Sequence, residues 1–290
     1  MENNKPYRIF ADCHCTLSES PMWNDREQML YWRGFHGELY RKPYDNDPNN
    51  YECFQLNIGA IGSMVFTDTD EMLLFADEGK IWKWIPGQEP VLYKDFKLNL
   101  FNDVLIDPKG RIYCGMLTEN FFGEGERGKY GSFWRLDPDG EFHCIDNRIG
   151  AIPNGIRFSP DLTKLYFGIT DDDTIYCYDY DLETGELSNR TALIGDCYPD
   201  GIAMDVEGNI WNANCRPGKP VQCFNPKGEL IAEYDFPVHR PISVAFGGPD
   251  RKSLFVTTAH ENQPVGEHDG GVFVIENTVG GADEYILHTR

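Results

Sequence analysis

A short apolar segment returns six times along this chain, its last residues separated by 43, 40, 52, 46 and 42 positions. The six copies are ESPMW ending at Trp23, GSMVF at Phe66, NDVLI at Ile106, NGIRF at Phe158, DGIAM at Met204 and ISVAF at Phe246. A polar turn and a second apolar run follow each: MLYWRG from Met29, MLLFAD from Met72, RIYCGM from Arg111, KLYFGI from Lys164, NIWNAN from Asn209 and SLFVTT from Ser253. Third runs (GELYRK, GKIWKWI, GSFWRLD, TIYCYDYD, PVQCFN, GVFVIEN) come after every copy, and a fourth (YECFQL, PVLYKDF, EFHCID, RTALIG, LIAEYDF) after five. Short alternating runs broken by Asp-Pro, Asn-Gly, Pro-Gly and Asp-Gly are strands and turns. Six units of four strands at this period predict an all-β fold, a six-bladed β-propeller with four antiparallel strands per blade, and a single domain over 1–290.

The sixth unit, ending near Gly281, needs its fourth strand from elsewhere. PYRIFAD, from Pro6 to Asp12, is expected to supply it and so protect an otherwise open edge. The tail EYILH, from Glu284, is the competing segment.

Aligning the six copies on their last residue exposes a column four positions earlier: Glu19, Gly62, Asn102, Asn154, Asp200 and Ile242. In a propeller the first strand of each blade lines the central channel, so this column should form an inward ring at its mouth. Apolar filling is the default there, and Gly62 and Ile242 obey it. Two carboxylates and two amides on one spot cost several kcal/mol of desolvation and repulsion unless compensated. A hard divalent cation compensates them directly, and an all-oxygen set suits calcium, magnesium or manganese.

Composition narrows the partners. With 47 Asp plus Glu against 26 Lys plus Arg, the net charge of -21 argues against nucleic acid and anionic membrane. No run approaches the roughly 18 apolar residues a membrane span needs. MENNKPYRIF lacks the pattern of a signal peptide. Nine cysteines without a CxxC pair make a disulfide framework improbable and favour a reducing, cytoplasmic setting. Cys13-His14-Cys15 looks like a soft-metal fragment without a second pair at zinc spacing. The seven His form no HExxH, Gly-x-Ser-x-Gly is absent, and Asp171-Asp172-Asp173 lacks EF-hand spacing and reads as an exposed turn. GEGERG, from Gly123 to Gly128, precedes no helix and reads as a mobile loop over the channel, not a phosphate cradle.

ESPMW at Glu19, NLFNDVLIDPKGRIYCG around Asn102, PNGIRFSPD at Asn154, YDYDLETGELSNR from Tyr178 and PDGIAMDVEGNIW at Asp200 resemble, in order and over nearly the whole chain, the regucalcin (senescence marker protein 30), gluconolactonase and luciferin-regenerating-enzyme family. The resemblance implies a six-bladed propeller with one divalent cation, calcium foremost and zinc, magnesium or manganese as alternatives. It implies that Glu19, Asn154 and Asp200 are the protein ligands, that Asp200 is also the proton-transfer residue, and that Asn102 contacts substrate. The chain departs from the family at Leu100, where lactonases often carry Arg, and at Val104, where they carry Gly. An acidic residue that holds sugar hydroxyls falls at Asn120, one past Glu119. The expected activity is therefore a metal-dependent lactonase, a carboxylic-ester hydrolase acting on a small sugar-derived lactone, with an altered grip on the sugar. An ester or phosphotriester hydrolase and a calcium-binding regulatory protein without turnover are the alternatives.

Overall fold

The computed structural model describes residues 6–122, 126–260 and 266–289. The chain opens with β1 (Tyr7–Ala11) and then runs through β2 (Glu19–Asn24), β3 (Met29–Arg33), β4 (Glu38–Pro43) and β5 (Glu52–Gln55). The second group is β6 (Ile61–Phe66), β7 (Met72–Ala76), β8 (Lys80–Trp84) and β9 (Val91–Asp95). The third is β10 (Phe101–Ile106), β11 (Ile112–Met116), β12 (Gly131–Leu136) and β13 (Phe142–Ile149). The fourth is β14 (Pro153–Phe158), β15 (Lys164–Ile169), β16 (Thr174–Tyr180) and β17 (Leu187–Gly195). The fifth is β18 (Pro199–Met204), β19 (Ile210–Asn214), β20 (Val221–Phe224) and β21 (Leu230–Tyr234). The last is β22 (Arg240–Gly247), β23 (Ser253–Ala259) and β24 (Val272–Ile275). Each group is one four-stranded antiparallel meander, and β1 joins the last in the order β1-β24-β23-β22. This is the predicted six-bladed β-propeller fold class.

The N-terminal strand completes the last blade as expected, pairing Tyr7 with Ile275, Arg8 with Val274 and Ile9 with Phe273. The tail does something else: Leu287 N–H donates to the Phe66 carbonyl (2.9 Å) and its carbonyl accepts from Asp68 N–H (2.9 Å), so it lies along the end of β6.

The chain forms two compact units. One comprises Met1–Cys53 and Gly201–Ala282, the other Phe54–Asp200 and Asp283–Arg290. In the first, one apolar cluster packs Trp23, Leu30 and Trp32 against Phe10, Phe255 and Val274, and a second joins Trp211 and Ala213 to Val244, Phe246 and Phe273. In the second, Val65, Phe75, Phe101 and Cys114 form one cluster, and Tyr113, Phe133, Ile156 and Phe167 another. Both start from the same pattern. Inner strands such as β6 are buried throughout, while outer strands such as β17 expose most of their length and carry polar residues such as Asn189 and Arg190. A charged outer strand also discourages edge-to-edge pairing.

The Asp-x-x-Gly turns after the inner strands are held by buried carboxylates. Asp107 accepts from Lys109 N–H, Arg111 N–H, Arg111 Nη1 and Tyr180 Oη, at 2.7–3.0 Å. Asp205 accepts from Glu207 N–H, Asn209 N–H, Asn209 Nδ2 and Trp211 Nε1, at 2.8–3.0 Å. Four donors satisfy a buried carboxylate, which would otherwise be costly. Gly110 and Gly208 close these turns at φ +81° and +83°, where a side chain is strained. Among the described residues, no helix is long and apolar enough to cross a membrane.

Candidate functional site

Five of the six positions of the sequence column fall on a repeated backbone irregularity. The register with the second strand shifts between Glu19 and Met22, Ile61 and Ser63, Phe101 and Val104, Asn154 and Ile156, and Pro241 and Ser243. A β-bulge inserts an unpaired residue and re-aims the side chains beside it, which is why bulges gather at binding sites. Gly62 is small for a reason other than apolar filling. A Cβ there would come within 1.7 Å of the Phe101 carbonyl oxygen, so β6 and β10 can approach only at a glycine. Gly201, next to Asp200, is equally constrained: its Cβ would meet Ser243 Oγ at 1.8 Å.

Asn102 and Asn154 come together. Both are buried, and Asn102 Nδ2 donates to the Pro153 carbonyl (2.8 Å) and to Asn154 Oδ1. Asn154 Nδ2 in turn donates to Thr170 Oγ1 (2.7 Å), whose own proton goes to the Pro199 carbonyl (2.6 Å). A hydroxyl has one proton. Once it is given to Pro199, Thr170 can only accept from Asn154, and the amide orientation is fixed. The Asn154 carbonyl oxygen is thereby turned toward Asn102 with a lone pair left over, as a cation ligand requires.

Glu19 lies on β2 directly opposite Arg33 on β3, and their side chains form a buried ion pair. Arg33 is a residue that sequence reasoning missed, since MLYWRG served only as a second strand. The available signal was a guanidinium ending an otherwise apolar, inward run. Asp200 is half-buried on β18, its backbone set by the Pro199 carbonyl on one side and the Gly201 contact on the other.

The expected sugar-contact residues lie at the ends of strands and in a turn. Leu100 is half-buried one residue before β10, its carbonyl accepting from Leu117 N–H (3.0 Å). Glu119 and Asn120 are exposed on the turn after β11, Asn120 at φ +52°, with bonds inside that loop: Gly128 N–H to the Glu119 carbonyl (2.9 Å) and Asn120 Nδ2 to the Glu126 carbonyl (3.5 Å). Of the GEGERG segment, residues 123–125 lie outside the described residues.

Other candidates separate cleanly. Cys13 Sγ donates to the Gly270 carbonyl (3.2 Å), and burial pushes its thiol up to about 12. Among the described residues no group of three or more His, Cys, Asp and Glu side chains is placed to hold a metal ion. The Glu19, Asn154 and Asp200 set contains only two such side chains, with an amide as the third. Its chemistry is all oxygen, two carboxylates and an oriented carbonyl, which fits a hard divalent cation and not a thiolate-seeking one. The Arg33 guanidinium on Glu19 is a feature such a cation must contend with.

The chain matches, over residues 17–260, the model of the SMP-30/gluconolactonase/LRE-like region. Pentonolactonase XacC of Haloferax volcanii is 32% identical over 296 positions, covering 97% of both chains. The 6-deoxy-6-sulfogluconolactonase of Pseudomonas putida is 28% identical, covering 87% of this chain and 86% of that protein. A solved luciferin-regenerating enzyme has a TM-score of 0.82 at 22% identity, covering 97% of this chain and 99% of its own, a likeness of fold.

Proposed function

The chain belongs to the SMP-30/gluconolactonase/LRE-like family, and on that premise we propose that it hydrolyses a sugar-derived lactone with one divalent cation held by Glu19, Asn154 and Asp200. The observation that carries the cation reading is Asn154. A buried amide whose nitrogen is committed to Thr170 presents a fixed oxygen donor. When bound, the cation supplies Lewis acidity at the lactone carbonyl. Asp200 takes a proton from the attacking water and returns it to the ring oxygen as the ring C–O bond opens. The water oxygen ends in the new carboxyl group, which releases its remaining proton to solvent, and the ring oxygen leaves as a hydroxyl. Asn102, held on the Pro153 carbonyl and Asn154, lines the substrate side of this group.

The substrate we favour is a short aldonolactone, as the similarity to a pentonolactonase suggests. Leu100 supports this. An Arg at that position offers up to five donors to sugar hydroxyls, whereas Leu offers apolar contact only. Regular strand alternation does not decide where Leu100 points, because it precedes β10 and the register shifts just after Phe101. The test is therefore direct. Leu100→Arg should raise kcat/KM for a hexonolactone relative to a pentonolactone by roughly ten- to hundredfold, matching the 1–3 kcal/mol cost of an unpaired polar group. An unchanged ratio at equal cation loading removes Leu100 from the pocket.

The reaction class is tested by a panel of pentono- and hexonolactones, aryl esters and phosphotriesters read by acid release. Turnover should be confined to lactones. Preferential turnover of phosphotriesters, or cation binding with no turnover of any member, would replace this reading.

A further inference from the structure

Thr170, Asp171, Asp172 and Asp173 form the tight turn between β15 and β16, closed by Asp173 N–H on the Thr170 carbonyl (3.0 Å). Two of the three carboxylates are spent on backbone elsewhere. Asp171 accepts from Ala151 N–H (2.7 Å) and Ile152 N–H (2.8 Å), the residues leading into β14 and Asn154. Asp173, itself at φ +57°, accepts from Tyr198 N–H (2.6 Å), two residues before Asp200. Thr170 reaches both segments at once, through Asn154 Nδ2 and the Pro199 carbonyl, and its N–H donates to the Ile152 carbonyl (3.0 Å). Asp172 takes no part: it accepts from Tyr176 Oη (2.9 Å) and pairs with Arg190 at the surface.

We propose that Thr170, Asp171 and Asp173 are positioning residues that set Asn154 and Asp200 relative to one another for cation binding. The inference rests on the proposed function, and it assigns the work to one turn between two hydrogen-bonded strands. Without the Thr170 hydroxyl, Asn154 Nδ2 and the Pro199 carbonyl both lose a buried partner, and only the Asn102 Nδ2 contact then selects which end of the Asn154 amide faces the site. Groups that orient a ligand in this way typically change metal affinity about 10–100-fold when removed. Without Asp171, the entry to β14 loses two anchors.

The experiment is calorimetric titration of calcium into demetallated protein, for the wild type and four variants. Thr170→Val, which keeps the branched shape but not the hydroxyl, should weaken binding about 10–100-fold. Thr170→Ser, which restores the hydroxyl, should return it to within about threefold of wild type, and Asp171→Ala should weaken it in the same direction as Thr170→Val. Asp172→Asn should leave it unchanged. If Thr170→Val fails to fold, the exposed Asp171→Ala and the Ser variant decide. Wild-type binding that is matched by Thr170→Val and Asp171→Ala overturns this inference alone. A wild type that binds no calcium overturns the proposed function and this inference with it.

Discussion

Asp200→Asn should retain the fold and lose most turnover, with kcat falling by about 10²–10⁴-fold, the usual loss when a general base is removed. Asparagine is nearly isosteric and keeps a carbonyl oxygen for the cation, but it cannot hold a proton taken from water. The backbone at this point is held from both sides of the residue: the Pro199 carbonyl accepts from Thr170 Oγ1, and Gly201 fits against Ser243. The melting temperature should therefore move little. The loss should fall on kcat, with KM for a lactone changing far less, because the base acts in the transition state and not in substrate binding. A variant that binds the cation and turns over at close to the wild-type rate would reduce Asp200 to a ligand and require another base.

Arg33→Met should produce the largest change in stability. The Arg33 and Glu19 side chains are only 5% and 13% exposed, and removing one partner of such a pair leaves a buried charge uncompensated. That loss is typically about 3–5 kcal/mol. The proposed site adds a second consequence. A divalent cation on Glu19 replaces the missing positive charge and no longer meets the guanidinium, so calcium should bind the variant more tightly. It should also raise the variant's melting temperature by more than the wild type's, since an ion bound only by the native state stabilises it by mass action. Adding Glu19→Gln to Arg33→Met should recover stability in the absence of the ion and abolish the calcium response. Equal calcium shifts in wild type and Arg33→Met would place the cation away from Glu19.

The parts of the molecule legible in the sequence are those that repeat. Six inner strands with the same turns after them identify the propeller, and the lone PYRIFAD segment points to the closure of the last blade by β1. The site column was legible for the same reason: a bulge recurs at one register, so residues that share an alignment position share a backbone geometry. What was not legible depends on partners distant in sequence. Nothing local to Asn154 announces that its amide is set by Thr170, sixteen residues on, and through it by Pro199. Arg33 looked like the end of a strand until β2 and β3 paired it with Glu19. Asp171 to Asp173 read as an exposed turn, and they form one, yet two of their carboxylates reach back to the entries of the inner strands. Alternation from Asn102 does not decide where Leu100 points, because Leu100 precedes β10 and the register shifts just after Phe101.

The central claim is that lactone opening depends on one cation per chain. It is tested most directly by demetallating the protein and restoring calcium stepwise while following acid release from a pentonolactone. Activity should be absent without the ion, rise in proportion to bound calcium and level off at one ion per chain, with the melting temperature rising in parallel. Full-rate hydrolysis by exhaustively demetallated protein would contradict it.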